Sequence, residues 1–479
     1  MKRYSRCLIV LVFAIAVSLV SMSGVLADGC RFVHMIDPDN HWVQVFPVGS
    51  TIEFDRYDLR DGGSNELTDI AFTTVPVSNE SVSFVTQGHY LRLIDHNNEG
   101  LIGTIDVGEL TGLENLTLEG VAAAERMNVS LPGGGEEDQY ALYLAGGASG
   151  KPYYIVLDQE AVLDGAPESE MLIASGELCV DGLACRGAVV DIAVGSTSKN
   201  AGDQFAFVSV LGWDEQNNRQ QQFFRVDREG GADGPFSVTL EPWQRGVTWG
   251  GTRHRSLGVD ISSDGDLVAG VFQTEGEWRD LESGSSSCIL DGEPTDIVFW
   301  GPGTDPSSKL MQFVTYDDDE GSTLAASTWM TCADPSDPLS DVRFAPGRAT
   351  AVILSSRSET RFWVYTAGRD DAVQGFEYEI VQEGEEGHEW ALHRLGDVKL
   401  ADPDDCEPEG KAIRLAIGAV DPTFASCPNT PICPKKPAPP IPCCLDPQDP
   451  DPICDDCIPP DSGDGDVGGG GDDGLGWRH

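Results

Sequence analysis

The chain has 479 residues, with 79 Asp and Glu against 31 Lys and Arg, for a net charge of −48. So negative a polypeptide repels nucleic acid and anionic lipid, which excludes both as partners. The basic minority is 8 Lys and 23 Arg, a lysine-poor balance that suits either a salty medium or an ordinary acidic secreted surface.

At the N-terminus, Lys2, Arg3 and Arg6 precede an apolar run from Leu8 to Val17 that resumes at Leu19 and Val20. This is the charged region and short apolar region of a secretory signal. Val25 and Ala27 fit the small subsites of a signal peptidase, so cleavage is expected after Ala27, with residues 1–27 as signal peptide. The mature chain is then secreted, periplasmic or at the cell surface. The competing reading is an uncleaved anchor over Leu8 to Ala27, close to the roughly 20 residues that span a bilayer, though Ser18, Ser21, Ser23 and Gly24 dilute its end. No later stretch is apolar and long enough to cross a membrane, so the mature chain is expected to have no integral span.

Residues 28–426 read as many short β segments, among them Tyr90–Ile94, Tyr140–Leu144, Tyr153–Leu157, Phe205–Leu211, Phe223–Val226, Leu267–Phe272, Ala351–Leu354 and Arg361–Tyr365. They are rich in β-branched and aromatic residues and are separated by Gly, Asn and Asp turns. No stretch sustains a 3.6-residue period, so the class is all-β. Within this region Asp followed by Ile or Val opens an alternating strand at Asp69, Asp191, Asp260, Asp296, Asp341 and Asp397. Leu118-Glu119-Gly120-Val121-Ala122 stands as a degenerate copy in the long gap between the first two. Seven such starts recur at about 55 residues, somewhat beyond the ~40–50 of compact propeller blades, which implies loop insertions. The expected fold is a β-propeller, seven-bladed, of four-stranded leaves; an array of two-sheet sandwiches is the alternative.

Thirteen cysteines, of which Cys7 lies in the signal, leave an even twelve. In an exported protein that count favours disulfides over thiol catalysis. Cys179 and Cys185 enclose a turn-like loop and are expected to bridge each other. Cys288 is a candidate partner for Cys332, and Cys30 for Cys406 or Cys427; spacing does not decide connectivity.

After Cys427 the composition changes to a Cys/Pro-rich segment, residues 427–460, which lacks the apolar residues for a core and is expected to be extended polyproline stapled by disulfides. Its Cys454 and Cys457 have the spacing of a zinc knuckle or redox pair, but with no helix behind them structural disulfides are the favoured reading. Residues 461–479 are largely Gly and Asp and are expected to be disordered.

Two segments carry more than the Asp-Ile rhythm. Leu257 to Phe272 is a strand, an Asp264-Gly265 turn and a second strand, and Leu339 to Leu354 has the same layout with Pro346-Gly347 at its turn. These resemble the inner hairpins of secreted bacterial β-propellers. Leu118-Glu119-Gly120-Val121-Ala122 is also similar to an element of esterase-like, phytase-related propellers. That resemblance implies an acidic residue at the channel mouth that helps hold a cation. Here Thr117 stands where an Asp would be expected, and Glu119 facing solvent at a blade edge is the simpler reading.

Acidic turns at Asp37-Pro-Asp39-Asn40, Asp95-His-Asn97-Asn98-Glu99, Asp317-Asp318-Asp319-Glu320 and Asp402-Pro-Asp404-Asp405 offer oxygens of the kind that hard cations such as Ca2+ take, without matching a spaced calcium loop. No other cofactor is implied. His34, His41, His89, His96, His254, His388 and His393 are scattered, and neither a zincin helix nor a nucleophile elbow is present. Trp213, Trp243, Trp249, Trp278, Trp300, Trp329, Trp363 and Trp390 are expected in the packing between blades. No catalytic residue is assigned. The expected function is an extracellular or envelope binding module, monomeric, with a protein or glycan partner. The alternatives are a cation-dependent ester or phosphoester hydrolase and a purely structural surface component. Three or more carboxylates converging in the channel, Glu119 among them, would favour the hydrolase, whereas a channel of Val, Ser and Thr would favour binding.

Overall fold

A computed structural model describes residues 31–419 apart from connecting segments, the longest of which are 247–257, 301–310 and 400–413. The expected signal peptide, Cys30, Cys406, Cys427, the Cys/Pro-rich segment and the Gly/Asp tail lie outside the described residues.

The strands fall into successive antiparallel sheets. β1 (Arg31–Asp37), β2 (Trp42–Pro47) and β3 (Asp55–Asp58) begin the first; β4 (Leu67–Thr74), β5 (Ser81–Gln87), β6 (Tyr90–Asp95) and β7 (Gly100–Asp106) form the next. A short helix, α1 (Val107–Thr111), leads to β8 (Thr117–Ala123), an inserted hairpin of β9 (Asn128–Ser130) and β10 (Glu136–Asp138), then β11 (Ala141–Ala148) and β12 (Lys151–Asp158). Helices α2 (Gln159–Leu163) and α3 (Glu168–Met171) precede β13 (Leu172–Glu177), which completes the sheet of β8, β11 and β12. Then follow β14 (Gly187–Ser196), β15 (Gln204–Trp213), β16 (Arg219–Arg228), β17 (Phe236–Leu240) and β18 (Arg245–Gly246) in one sheet, and β19 (Val259–Ile261), β20 (Leu267–Val271), β21 (Glu275–Asp280) and β22 (Ser286–Asp291) in another. The last two are β23 (Pro294–Trp300), β24 (Met311–Asp318), β25 (Gly321–Thr328) and β26 (Ser340–Val342), and β27 (Thr350–Ser355), β28 (Arg361–Ala367), β29 (Ala372–Gly384) and β30 (Gly387–Lys399). Finally β31 (Arg414–Ala419) returns to pair with β1, so that the first sheet is built from both ends of the described chain.

One edge strand of each sheet touches its counterpart on the neighbouring sheets in a closed cycle, β31, β4, β8, β14, β19, β23, β27 and back to β31. That is a β-propeller, with these strands around the central channel. Of the seven four-stranded blades suggested by the sequence rhythm, the structure has six; the sheet of β14–β17 departs from the pattern by taking up β18 as a fifth strand against β16.

Face-to-face packing of neighbouring sheets explains why their middle strands are apolar on both faces. In β15, Phe205 and Phe207 pack with Val259, Ile261 and Val268 on one side. Ala206, Val208 and Val210 pack with Tyr143, Tyr154 and Val189 on the other. The two-residue alternation of a strand sends successive side chains to opposite sheets, and each fully buried large apolar side chain contributes about 1.5–3 kcal/mol. Trp278, an expected packing residue, is fully buried against Phe299 of the adjacent sheet, ring centroids 5.7 Å apart.

The Asp-Ile pattern lands on channel strands at Asp69, Asp191, Asp260 and Asp296, and the Glu119 segment is the channel strand β8. Asp341 and Asp397 do not follow: they lie on β26 and β30, strands at the opposite edges of their sheets from the channel. The Leu257–Phe272 hairpin forms, with β19 paired to β20. The Leu339–Leu354 segment does not form one. β26 pairs with β25 and β27 with β28, so its Pro-Gly link carries the chain from one sheet to the next. A local strand-turn-strand pattern serves either purpose; only the identity of the neighbouring strands separates them.

Cys179 and Cys185 are bonded between β13 and β14, Cα atoms 5.1 Å apart. Cys288 of β22 is bonded to Cys332 with Cα atoms 5.6 Å apart, tying neighbouring sheets together. No helix among the described residues is long and apolar enough to cross a membrane.

Candidate functional site

The channel carries the densest polar chemistry among the described residues. Three of its acidic side chains are placed by a local irregularity: the pairing register slips between Leu67 and Asp69 in β4, between Val189 and Asp191 in β14, and between Pro294 and Asp296 in β23. An extra residue at such a bulge re-aims the side chain beside it. Threonines flank two of these bulges. Thr68 Oγ1 is 2.7 Å from Thr86 Oγ1 and donates to the Leu118 carbonyl at 2.8 Å, and Thr295 Oγ1 is 2.8 Å from Thr315 Oγ1.

Three aspartates each fasten their channel strand to the next one round the ring. Asp69 Oδ2 accepts from the Val121 N–H of β8 at 2.8 Å, Asp191 Oδ2 from the Val259 N–H of β19 at 2.9 Å, and Asp260 Oδ2 from the Phe299 N–H of β23 at 2.6 Å. Hydrogen bonds to an ionised acceptor are about twice as strong as neutral ones. Two glycines allow this close approach. A Cβ on Gly120 would meet Ile192 Cγ2 at 2.7 Å, and one on Gly195 would meet Ile261 Cγ2 at 2.7 Å.

Where the ring closes, β31 brings a cation. Arg414 is buried; its Nη2 lies 3.0 Å from Asp191 Oδ1 and donates to the Val190 carbonyl at 3.1 Å, while its Nε lies 3.6 Å from Asp69 Oδ1. Burial opposes its charge, but Asp191, Asp69, Asp296 and Glu119 together outweigh that and raise its pKa. The acids respond oppositely. Burial, opposed by Arg414 and helped by Asp191, raises Asp69 to about 6. Burial and the neighbouring Asp191 raise Asp260 to about 7 despite its bonds to backbone N–H groups.

Asp69, Asp191, Asp260, Asp296 and Arg414 line a cavity of about 260 Å³ walled by Ile70, Val121, Ile192, Val259 and Ile297. Glu119 does not line it, although its charge is felt by Arg414. The channel therefore matches neither sequence criterion outright: carboxylates converge, but they are the blade-start aspartates without Glu119. A cation entering the cavity would meet Asp69, Asp191, Asp260 and Asp296. Among the described residues no group of three or more His, Cys, Asp or Glu is placed to hold a metal ion. Of the acidic turns, Asp37 and Asp95 are buried, while Asp39, Asn40, Asn97, Asn98, Glu99, Asp319, Glu320, Asp402, Asp404 and Asp405 lie outside the described residues.

Sequence reasoning missed Arg414, because nothing in Ile-Arg-Leu-Ala-Ile-Gly marks a channel strand; the one available signal was an alternating strand shortly before the composition change. It also missed that His34 and His96, scattered in sequence, meet with ring centroids 4.3 Å apart.

No family model and no curated protein matches the chain. Among solved structures, the dihydro-heme d1 dehydrogenase NirN in complex with DHE aligns over 81% of this chain and 75% of that one, at 12% identity and a TM-score of 0.39. Hsv2 of Kluyveromyces lactis aligns over 69% of this chain and 98% of its own, at 13% identity and a TM-score of 0.31.

Proposed function

We propose that this is an exported propeller that acts as a non-catalytic binding or interaction module. It is delivered by the residue 1–27 signal and works as a monomeric rigid disc in the extracellular space or envelope, with an extracellular protein or glycan as partner. Residues 427–460 serve as a stapled spacer and 461–479 as a free acidic tail. The observation that carries this reading is how the channel carboxylates are used. Asp69, Asp191 and Asp260 each give an oxygen to the next strand's N–H, and Arg414 sits against Asp69 and Asp191. Groups so committed brace a ring; a general base or nucleophile needs an oxygen free to reach a reacting atom. The two disulfides suit an oxidising compartment.

The second reading, a divalent-cation-dependent ester or phosphoester hydrolase, is favoured by four aspartates lining one cavity. The two readings separate in one assay. The purified chain is given generic phosphate and carboxylate esters, with added Ca2+ and then with chelator. The binding module turns over none of them under either condition. Turnover that chelator abolishes and Ca2+ restores overturns it in favour of the hydrolase.

A further inference from the structure

His34 lies at the middle of β1, fully buried, and neither ring nitrogen finds a hydrogen-bond partner among the described residues. It packs between the first sheet and the second. Its ring is 4.3 Å from that of His96, just beyond β6, and 4.8 Å from Phe72 of β4, while Tyr57 of β3 stands edge-on to His96 at 5.4 Å. Ser83 Oγ of β5 is 2.7 Å from His96 Nε2. The apolar rest of this seam is Phe32, Ile36, Val43, Val45, Ile70 and Ile94. Directly behind it, His34 is the register partner of Ala416 in β31, the strand that closes the ring.

We propose that the His34–His96 pair is an acid-operated latch on the seam where the propeller closes: while both imidazoles are neutral the first two sheets stay packed, and when they gain protons the seam opens and loosens β31. Two cations about 4 Å apart with little polar surrounding repel strongly, and an imidazolium there would have up to two donors to satisfy per ring. The ionisable groups facing the pair are Tyr57 from β3 and Asp95 from the end of β6. Asp37 is on β1 itself, and Arg414 of β31 turns to the channel aspartates. Burial holds His34 well below its ordinary value, with His96 pushing the same way, and burial lowers His96 to about 4 although Asp95 pulls it up. The unfolded or opened seam accepts protons from about pH 6.5 downward, so acid favours opening. The channel aspartates run the other way, since raised carboxyls hold the ring tighter as pH falls. Acid therefore loosens one seam selectively.

The test is amide hydrogen exchange on the full chain at pH 7 and pH 4.5, corrected for intrinsic rates. Protection in β1, β6 and β31 is expected to fall about a hundredfold, the ratio set by one histidine moved from 6.5 to about 4, while β15 and β16 change less than about tenfold. In His96→Gln, which keeps a partner for Ser83, and in His34→Phe, which fills the same space, the seam's loss should shrink to the level of β15. Should His34→Phe fail to fold, His96→Gln carries the test. Uniform loss across all sheets in the unaltered chain, or a seam loss unchanged in the folded variants, overturns the proposal.

Discussion

Arg414 Nη2 and Asp191 Oδ1 meet at 3.0 Å across the channel, joining the strand that closes the ring to a strand three sheets further round. The pair does two jobs at once: it neutralises a crowded acidic channel and it anchors β31. Its energetic weight is asymmetric, because removing one partner leaves charge buried, whereas replacing both need not.

Arg414→Leu is accordingly expected to cost about 3–5 kcal/mol, the range for breaking a buried ion pair. The loss should be larger at pH 8 than at pH 5, where Asp69 is mostly protonated. Urea unfolding midpoints at the two pH values measure this, and an unchanged midpoint at pH 8 would show that the channel does not need the cation.

Asp260 makes the channel's own pH dependence accessible. Its carboxyl titrates near 7 when folded and near 3.9 when unfolded. Between those values the folded chain holds a proton that the unfolded chain has lost, so this group's contribution to stability is greatest at low pH and declines as pH rises toward 7. Asp260→Asn keeps an acceptor for the Phe299 N–H and removes the charge. Its unfolding midpoint should lack that decline, and so rise relative to that of the unaltered protein between pH 5 and pH 8. The histidine seam titrates in both proteins and cancels in the comparison, so equal pH slopes would refute the assignment.

Gly120 and Gly103 form a contrasting pair. A methyl group on Gly120 meets Ile192 Cγ2 at 2.7 Å, whereas at Gly103 there is nothing within 4 Å. Gly120→Ala should destabilise by about 1–3 kcal/mol through overpacking between neighbouring channel strands, and Gly103→Ala by less than about 0.5 kcal/mol. Thermal unfolding of the two variants is the check; similar losses would mean that the close strand approach is not required.

The Cys288–Cys332 bond spans 44 residues of sequence. Closing a loop of that size in the unfolded chain is worth about 4 kcal/mol in the chain-entropy account. Cys288→Ser with Cys332→Ser should lower the urea midpoint correspondingly, and the six-residue Cys179–Cys185 loop should matter less. If the small loop proved the more costly to lose, local packing in the folded state rather than chain entropy would govern both.

The propeller was legible in the sequence at the positions where one residue type had a job repeated round the ring. Asp69, Asp191, Asp260 and Asp296 could be found because each needs a carboxylate beside a strand that alternates. Asp341 and Asp397 misled because a two-residue pattern in so acidic a chain also occurs on outer strands. Asp106-Val107, which carries the same pair of residues, is a helix cap: Asp106 Oδ1 accepts from the Glu109 N–H at 2.9 Å. Its helix and the two others span only four or five residues, too few for a helical period to register. The channel's charge balance was not legible, since Arg414 lies more than two hundred residues from Asp191 and their meeting depends on ring closure, a property of the whole topology.

The pairing of β1 with β31 has a kinetic side. Roughly 380 residues separate Met35 from Leu415, its register partner, and contacts that distant form late because the chain between them must first be ordered. A nascent polypeptide emerging from the ribosome cannot complete its disc until the last strand is made. Until then the first sheet lacks its inner strand and the ring stays open.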